Sequence, residues 1–259
     1  FARSDMQASG LPSKAELELL ESFRGQIPAR VFTNPVELPQ NSSFGRNRET
    51  LQRAHEILQD AGWVLQDYER VHEVTGQSFK IEFIVTFQDH ERMLVPFVDN
   101  LRRLGIKATL RRLESNLLFN RIRKYDFDAT IRKYFSWNIP FPARLRGQFS
   151  SQYADIPNMR NLAGAKDPII DLLVEKITTA QTQEEMNIAG RALDRIALFS
   201  FYLIPDGYPR GRHIVYWDRL GHPPLGVPHM NWTGMPYLWW YDDQKAARVN
   251  AGIAEVMDR

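Results

Sequence analysis

The sequence predicts an α/β fold, a mixed and largely parallel sheet flanked by helices, and three observations carry that expectation. Phe79-Lys-Ile-Glu-Phe-Ile-Val-Thr-Phe87 alternates apolar and polar residues and then turns apolar throughout, as a strand covered on both faces does. Met93, Leu94, Phe97, Val98, Leu101 and Leu104 follow at helical spacing, with Gly105 where a helix stops. The alternation then repeats, with a strand from Ile106 to Leu113, a helix striped by Leu117, Leu118 and Ile122, and a third strand from Phe127 to Phe135. Such alternation gives parallel strands joined by helical crossovers. Ligands of open parallel sheets bind beyond the carboxyl ends of the strands. The loop Ser136-Trp-Asn-Ile-Pro-Phe-Pro-Ala-Arg-Leu-Arg146 stands at that end and is the first place to look for function.

The remaining elements follow in order. Residues 1–48 carry turn chemistry around one short helix near Lys14–Phe23, so this segment is expected to wrap a surface. Asn47 has the chemistry of an N-cap for a helix striped by Leu51, Ala54, Ile57 and Leu58 and ended by Gly62. Trp63 to Thr75 reads as a β-excursion with Gly76 as its turn. A long polar loop is expected from Arg146 to Ala165. Asp167-Pro168 opens a helix, because aspartate caps and proline is tolerated at the first helical position. Its buried face is Ile169, Ile170, Leu172, Leu173 and Ile177. Thr182-Gln-Glu-Glu185 has the form of a capping box, opening a second helix with Met186, Ala189, Leu193, Ile196 and Ala197 inward. Phe201–Ile204 and His213–Trp217 read as strands split by Pro205-Asp-Gly. Four of the six tryptophans (Trp217, Trp232, Trp239, Trp240) then fall in an irregular, proline-rich aromatic C-terminal tail that needs a surface to lie on. With its opening Phe1-Ala-Arg-Ser, this reads as a piece of a longer protein.

Composition narrows the function classes. The chain has 259 residues, 43% hydrophobic and 25% charged, the balance of a globular protein able to bury a real core. With 33 basic against 31 acidic residues, no bulk field recommends nucleic acid as a partner. The paired arginines at 102–103 and 111–112 and the run Arg121-x-Arg123-Lys124 lie on or beside apolar-striped helices, which makes them a solvated face. The chain contains no cysteine, which removes thiolate metal sites, thiol nucleophiles and disulfides together. The six histidines show no H-E-x-x-H spacing, and no phosphate-binding glycine loop or serine elbow is present. No apolar run is long enough to span a membrane. Asp126 and Asp128 in Tyr125-Asp-Phe-Asp128 stand two apart, hence on one face of a strand. Together with Asp155 they define the alternative of a peptide or glycan hydrolase, although such chemistry needs carboxylates facing each other across a substrate.

Several segments, in order and spacing, resemble solute-binding protein family 5, the extracytoplasmic peptide-binding proteins of ABC importers. Ala54-His-Glu-Ile-Leu-Gln-Asp-Ala-Gly-Trp63 is similar to that family's "A-x-x-L-L-x-x-A-G-[YW]" helix. Phe97-Val-Asp-Asn-Leu-Arg-Arg-Leu-Gly-Ile-Lys107 resembles its "L-x-x-[LI]-G-I-x" element, and Tyr125-Asp-Phe-Asp128 its "[YF]-D-[FM]-x" entry to the ligand-bearing strand. Asn161-Leu-Ala-Gly-Ala-Lys-Asp-Pro-Ile-Ile-Asp171 resembles "N-[YF]-x-G-x-x-[ND]-P-x-[VI]-D". Ala192-Leu-Asp-Arg195 and Tyr216-Trp-Asp218 are similar to the Yej-type branch, whose members take up oligopeptides, murein-derived peptides and peptide-like antibiotics.

The resemblance implies a type II periplasmic-binding-protein lobe, the second half of a clamshell whose first lobe is missing here. On that basis residues 1–46 connect from the missing N-terminal lobe, 47–210 form the ligand-binding lobe, and 211–259 return toward the first lobe. The implied activity is binding of a peptide or peptide-like ligand in the periplasm, for delivery to ABC importer permease subunits. Neither an enzymatic step nor a cofactor is implied. The implied ligand-binding residues are Tyr134, Phe135, Ser136, Trp137, Asn138, Arg144, Arg146, Arg160 and Asn161. In this arrangement a strand edge at Phe135-Ser-Trp-Asn138 pairs with an extended peptide, Trp137 packs on its side chains, and the arginines fork its carboxylates. Many family members place an acidic residue shortly after this tryptophan to pair with the peptide amine. Asn138-Ile-Pro140 stands here instead, which favours a capped or anionic ligand such as a murein peptide.

Overall fold

A computed structural model describes residues 1–2, 4–38, 48–132, 142–205, 207, 215–223 and 238–257. Local capping chemistry starts the first helix, α1 (Lys14–Leu20). The Ser13 hydroxyl accepts from the Glu16 N–H, and the Glu16 carboxylate accepts from the Ser13 N–H. A 3-10 turn over Glu21–Phe23 and the short α2 (Arg30–Thr33) follow. α3 (Arg48–Asp60) gives way at Gly62, whose φ of +79° suits a residue without Cβ. The cap expected at Asn47 lies outside the described residues. The β-excursion is a hairpin, β1 (Trp63–Gln66) and β2 (Glu69–His72). Its two turn residues, Asp67 and Tyr68, both adopt positive φ (48° and 67°), which matches the right-handed twist of the flanking strands.

The parallel sheet is built as the periodicity predicts. β3 (Lys80–Val85), α4 (Gln88–Arg103), β4 (Lys107–Arg112), α5 (Ser115–Arg123) and β5 (Ala129–Thr130) follow one another, and the strands lie in the order β4-β3-β5, all parallel. The central strand is buried on both faces, which is why its sequence loses alternation. Phe83 packs with Val98, Leu104, Ile106 and Ala108, against α4 and the inner stripe of α3. Its neighbour Ile84 packs on the opposite face with Leu118 and Ile122 of α5. Of the third strand expected from Phe127 to Phe135, only Ala129 and Thr130 join the ladder among the described residues, and positions 133–135 lie outside them. Phe127 precedes it and packs against the Ile84 cluster.

The other half is helical. α6 (Pro142–Phe149), a 3-10 turn over Ser151–Tyr153, α7 (Pro168–Thr179) and α8 (Gln183–Phe199) gather around one core that also takes Leu20 of α1 and Val31 and Phe32 of α2. α7 and α8 begin as read: the Asp167 carboxylate accepts from the Ile169 N–H, and Thr182 and Glu185 form a complete capping box. The segment before α1 is fastened to α8. Arg195, fully buried, donates to the Gly10 and Ser9 carbonyls and to the Glu16 carboxylate, while Asp194 accepts from the Ala8 N–H.

Four expectations need correction. Residues 142–149 are not loop, because α6 docks Leu145 into the core and pairs Arg146 with α7, whereas residues 154–165 are turns and irregular chain as expected. In α7 it is Val174, fully buried, and not Leu172 that completes the inner face, since 3.6-residue geometry turns Leu172 outward. Phe201–Ile204 is not a strand: Phe201 turns the chain at φ 55° directly after α8, under the Arg30 guanidinium. Residues 215–217 form no strand either, and Val215 is almost wholly exposed. The tail is more regular than its composition suggests. β6 (Leu220–Gly221) pairs antiparallel with β7 (Trp240–Tyr241), and α9 (Asp243–Met257) follows.

Candidate functional site

The order β4-β3-β5 makes the carboxyl end of β3 the switch point of the sheet. From there α4 departs over one face, while α5, which leads into β5, covers the other, and open parallel sheets take their ligands at such a point. The residues around it come from three strand ends. Thr86 and Phe87 leave β3, Leu113 to Ser115 leave β4, and Ile131 and Arg132 leave β5. The ends are held together by backbone and hydroxyl bonds. Leu113 N–H donates to the Val85 carbonyl at 2.7 Å and Thr130 Oγ1 to the Ile84 carbonyl at 2.8 Å, while the Thr86 and Ser115 hydroxyls lie 3.2 Å apart. Glu114 caps α5 by accepting from the Asn116 and Leu117 N–H groups, so its carboxylate is committed to the helix.

An exposed aromatic stands at this switch point. Phe87 is 62% exposed and occupies the N-cap position of α4, where no side chain caps the helix. His90, one turn on, meets it edge-to-face at 5.3 Å. Beside them Glu91 pairs with Arg112 at 3.3 Å. Sequence reading missed Phe87 and His90, because Phe87 looked like the last residue of an apolar strand. The available signal was position: an aromatic two residues past the last ladder residue of a central strand.

The expected site residues divide into two groups. Tyr134, Phe135, Ser136, Trp137 and Asn138 lie outside the described residues; the chain enters that stretch from Arg132, at the carboxyl end of β5. The other four are placed. Arg144 is half-buried on α6, and Arg160 is exposed on the turn before Asn161. Arg146 forks the Glu175 carboxylate, Nε to Oε1 at 2.7 Å and Nη2 to Oε2 at 2.8 Å, and also donates to Thr178 Oγ1. That pairing pushes the Glu175 carboxyl below its usual range and holds the guanidinium above its own. Asn161 is fully buried and its amide nitrogen donates to the Ser150 and Ala165 carbonyls, while its oxygen accepts from the Ala165 N–H. Both therefore brace the α6–α7 region.

The three aspartates considered for hydrolysis have structural partners as well. Asp126 accepts from Arg121 Nε at 3.0 Å, Asp128 accepts from the Glu82 N–H at 2.8 Å, and Asp155 pairs with Lys166 at 2.6 Å. Asp126 and Asp128 precede β5 and do not share a strand face within it.

Arg121 links this region to the sheet by also donating to Glu82, which takes Arg111 on its other oxygen. The Arg121 hydrogen bond, ahead of the Arg111 bond and the charges of both, holds the Glu82 carboxyl below its ordinary 4.5. A lowered folded-state pKa means stability that is present above the unfolded value and lost as pH falls through the folded one. Glu82→Gln should therefore cost at most about 1 kcal/mol at neutral pH. It should also flatten the fall in stability below about pH 4.5, read as urea midpoints across an acid series.

Comparison with known proteins gives a consistent picture. The family model of the bacterial extracellular solute-binding proteins, family 5 (middle region), matches residues 18–155. The chain is 35% identical over 241 residues to the probable peptide-binding protein YejA of Agrobacterium fabrum, covering 93% of this chain and 39% of that protein. It is 24% identical over 225 residues to the peptidoglycan-binding protein YepA of the same organism, covering 87% of this chain and 36% of that one. The oligopeptide-binding protein AppA of Bacillus subtilis, solved with a nonapeptide, shares the fold with a TM-score of 0.52 at 16% identity, over 73% of this chain and 38% of its own. The chain thus spans about two fifths of the length of the relatives it matches. The fold is that of a type II periplasmic-binding-protein lobe. Among the described residues no helix is long and apolar enough to cross a membrane.

Proposed function

Because the chain belongs to family 5 of the bacterial extracellular solute-binding proteins, we propose that it binds peptides in the periplasm and delivers them to the permease of an ABC importer as the second of two closing lobes. The observation that supports this reading is the switch point at the carboxyl end of β3, beside the end of β5 that precedes Tyr134–Asn138 in sequence. In the proposal Phe135-Ser-Trp-Asn138 offers a strand edge to an extended peptide, with Tyr134 beside it, Trp137 packs on its side chains, and Phe87 and His90 form the adjoining wall. Residues 1–46 connect from the first lobe, 47–210 are the ligand-binding lobe, and 211–259 return toward the first. Work is done by closure, in which contacts to both lobes shift an open–closed equilibrium.

The absence of a carboxylate directly after Trp137 and the arginines Arg144 and Arg160 favour an anionic or amine-capped ligand, murein-derived peptides above all. The names of YejA and YepA support peptides and peptidoglycan fragments as the ligand class. Arg146 and Asn161 are left out of the proposed ligand set, because Arg146 forks Glu175 and the Asn161 amide nitrogen already donates to two carbonyls.

The test is equilibrium dialysis of the protein joined to its first lobe against an equimolar mixture of free-amine oligopeptides, amine-capped peptides and a murein tripeptide, read by mass spectrometry. Capped and anionic peptides should be enriched, and Trp137→Ala should weaken retention about tenfold or more, the equivalent of ~1.4 kcal/mol. Preference for free-amine peptides would overturn the anionic ligand class, and retention of no peptide would overturn the function. The 259-residue chain alone keeps only one wall of the site. Calorimetry should therefore find little binding, and a Kd below roughly 1 μM for this chain by itself would overturn the lobe assignment.

A further inference from the structure

At the opposite edge of the sheet, where α4 ends and β4 is about to begin, a second concave surface lies between α3 and the end of α4. It is an open groove of about 520 Å³ lined by Arg48, Leu51, Gln52, His55, Arg103 and Leu104. Among the described residues no acidic side chain lines it. Arg48 and Arg103 are exposed, and Arg103 donates to the neutral side-chain oxygen of Asn100 at 2.8 Å. Behind the lining stands a third guanidinium. Arg70 is fully buried, and its donors end on neutral acceptors: the Leu104 carbonyl at 2.9 Å, the Trp63 carbonyl at 3.0 Å and His55 Nδ1 at 2.8 Å. Burial pulls the Arg70 pKa down, and no carboxylate offsets it.

Arginine is never an acceptor, so His55 Nδ1 must accept, which fixes the imidazole as the tautomer with its proton on Nε2. With Nδ1 committed, Nε2–H is the polar group His55 has left to offer an occupant of the groove. Two exposed guanidinium groups, an oriented N–H donor and a buried cation behind them make a wall that suits a dianion better than a single carboxylate. Leu51 and Leu104 add an apolar strip against which an attached organic group can lie.

We propose that this groove is a binding site for a phosphate monoester, separate from the proposed peptide site and independent of the function assigned to it. Arg48 and Arg103 fork the phosphoryl oxygens, His55 donates from Nε2, and Arg70 orients His55. The source is either a soluble phosphomonoester or a phosphomonoester lipid headgroup, which present the same chemistry.

The test is calorimetric titration of the chain with glycerol 3-phosphate, with glycerol and acetate as controls and phosphatidic acid vesicles in a parallel sedimentation assay. Saturable binding of glycerol 3-phosphate is expected, weakened at least tenfold by Arg103→Ala and by Arg48→Ala and weakened again between 0.15 M and 1 M salt. Both arginines are exposed, and unchanged circular dichroism and thermal midpoints should confirm intact folds. Binding to vesicles alone, with the same sensitivity to both variants, identifies the lipid source. The proposal is overturned by the absence of saturable binding to either probe, by equal affinity for acetate, or by variants that bind as the parent does.

Discussion

Arg195→Met should destabilise the chain by about 3–5 kcal/mol, because it strands a carboxylate in the interior. Arg195 is completely inaccessible and Glu16 is 3% exposed. The guanidinium donates to the Gly10 carbonyl at 2.9 Å, the Ser9 carbonyl at 3.3 Å and Glu16 at 3.4 Å. The second cation on Glu16, Arg191, lies at 3.7 Å and is too distant for a good hydrogen bond. Methionine restores most of the volume but none of the donors, so two carbonyls and one buried carboxylate lose a partner, although the Gly10 carbonyl keeps the Val36 N–H. Glu16 would still hold the Ser13 N–H through the capping box, which keeps α1 locally intact. The loss should therefore appear as release of residues 4–16 from α8, seen as faster amide exchange there, together with a lower urea midpoint. A double-mutant cycle separates charge from packing. Glu16→Gln/Arg195→Met should recover part of the loss, since the buried charge has gone with its partner. A single-variant loss under about 1 kcal/mol would mean that water reaches this pair.

That network also shows what sequence reading can and cannot see. The residues that recruit partners locally were legible: Thr182 with Glu185, Asp167 before Pro168, and the strand–helix alternation from Phe79 to Thr130, whose periodicity encodes burial on one or both sides. What depends on a partner far along the chain was not. The docking of residues 8–16 on α8 rests on contacts across more than 170 positions, and nothing near Arg195 announces them. α6 was read as loop because its prolines and arginines carry no helical stripe; its stability comes from burial of Leu145 and from the Arg146–Glu175 fork. Phe201–Ile204 has strand composition, yet among the described residues no strand lies beside it to complete a ladder. α9 was hidden by the aromatic run before it, although a cap was present in the sequence, since Asp242 accepts from the Lys245 N–H. In the site, the switch point followed from topology, whereas Arg146 and Asn161 were chosen by residue type. A polar side chain in a loop declares its chemistry but not its commitments, and here those commitments lie within the α6–α7 region.

Arg70→Met is expected to cost about 3 kcal/mol, and the reasoning differs because no carboxylate is left behind. Two effects oppose each other. Removing a desolvated guanidinium relieves the burial that lowers its pKa. Against this, the Leu104 and Trp63 carbonyls and His55 Nδ1 lose their donor, at roughly 1–3 kcal/mol for each that water cannot reach. The second effect should win, because guanidinium is weakly hydrated and gives up comparatively little on burial. The backbone nearby leaves little room for relaxation. The Arg70 N–H donates to the Gly105 carbonyl at 2.8 Å. Gly105 sits at φ +85°, where an added Cβ would lie 2.6 Å from Leu65 Cδ1 and 3.0 Å from the Arg70 nitrogen. The hairpin is thus pressed against the turn between α4 and β4, and Arg70 ties α3, β1 and the end of α4 together at that point. The loss should be confined to this half of the molecule, with faster amide exchange in β1, β2 and α3 and unchanged protection in α7 and α8. Those two helices bury a separate apolar cluster that includes neither Arg70 nor Gly105. Uniform loss of protection across both clusters would instead show that the sheet and the helical half unfold as one cooperative unit.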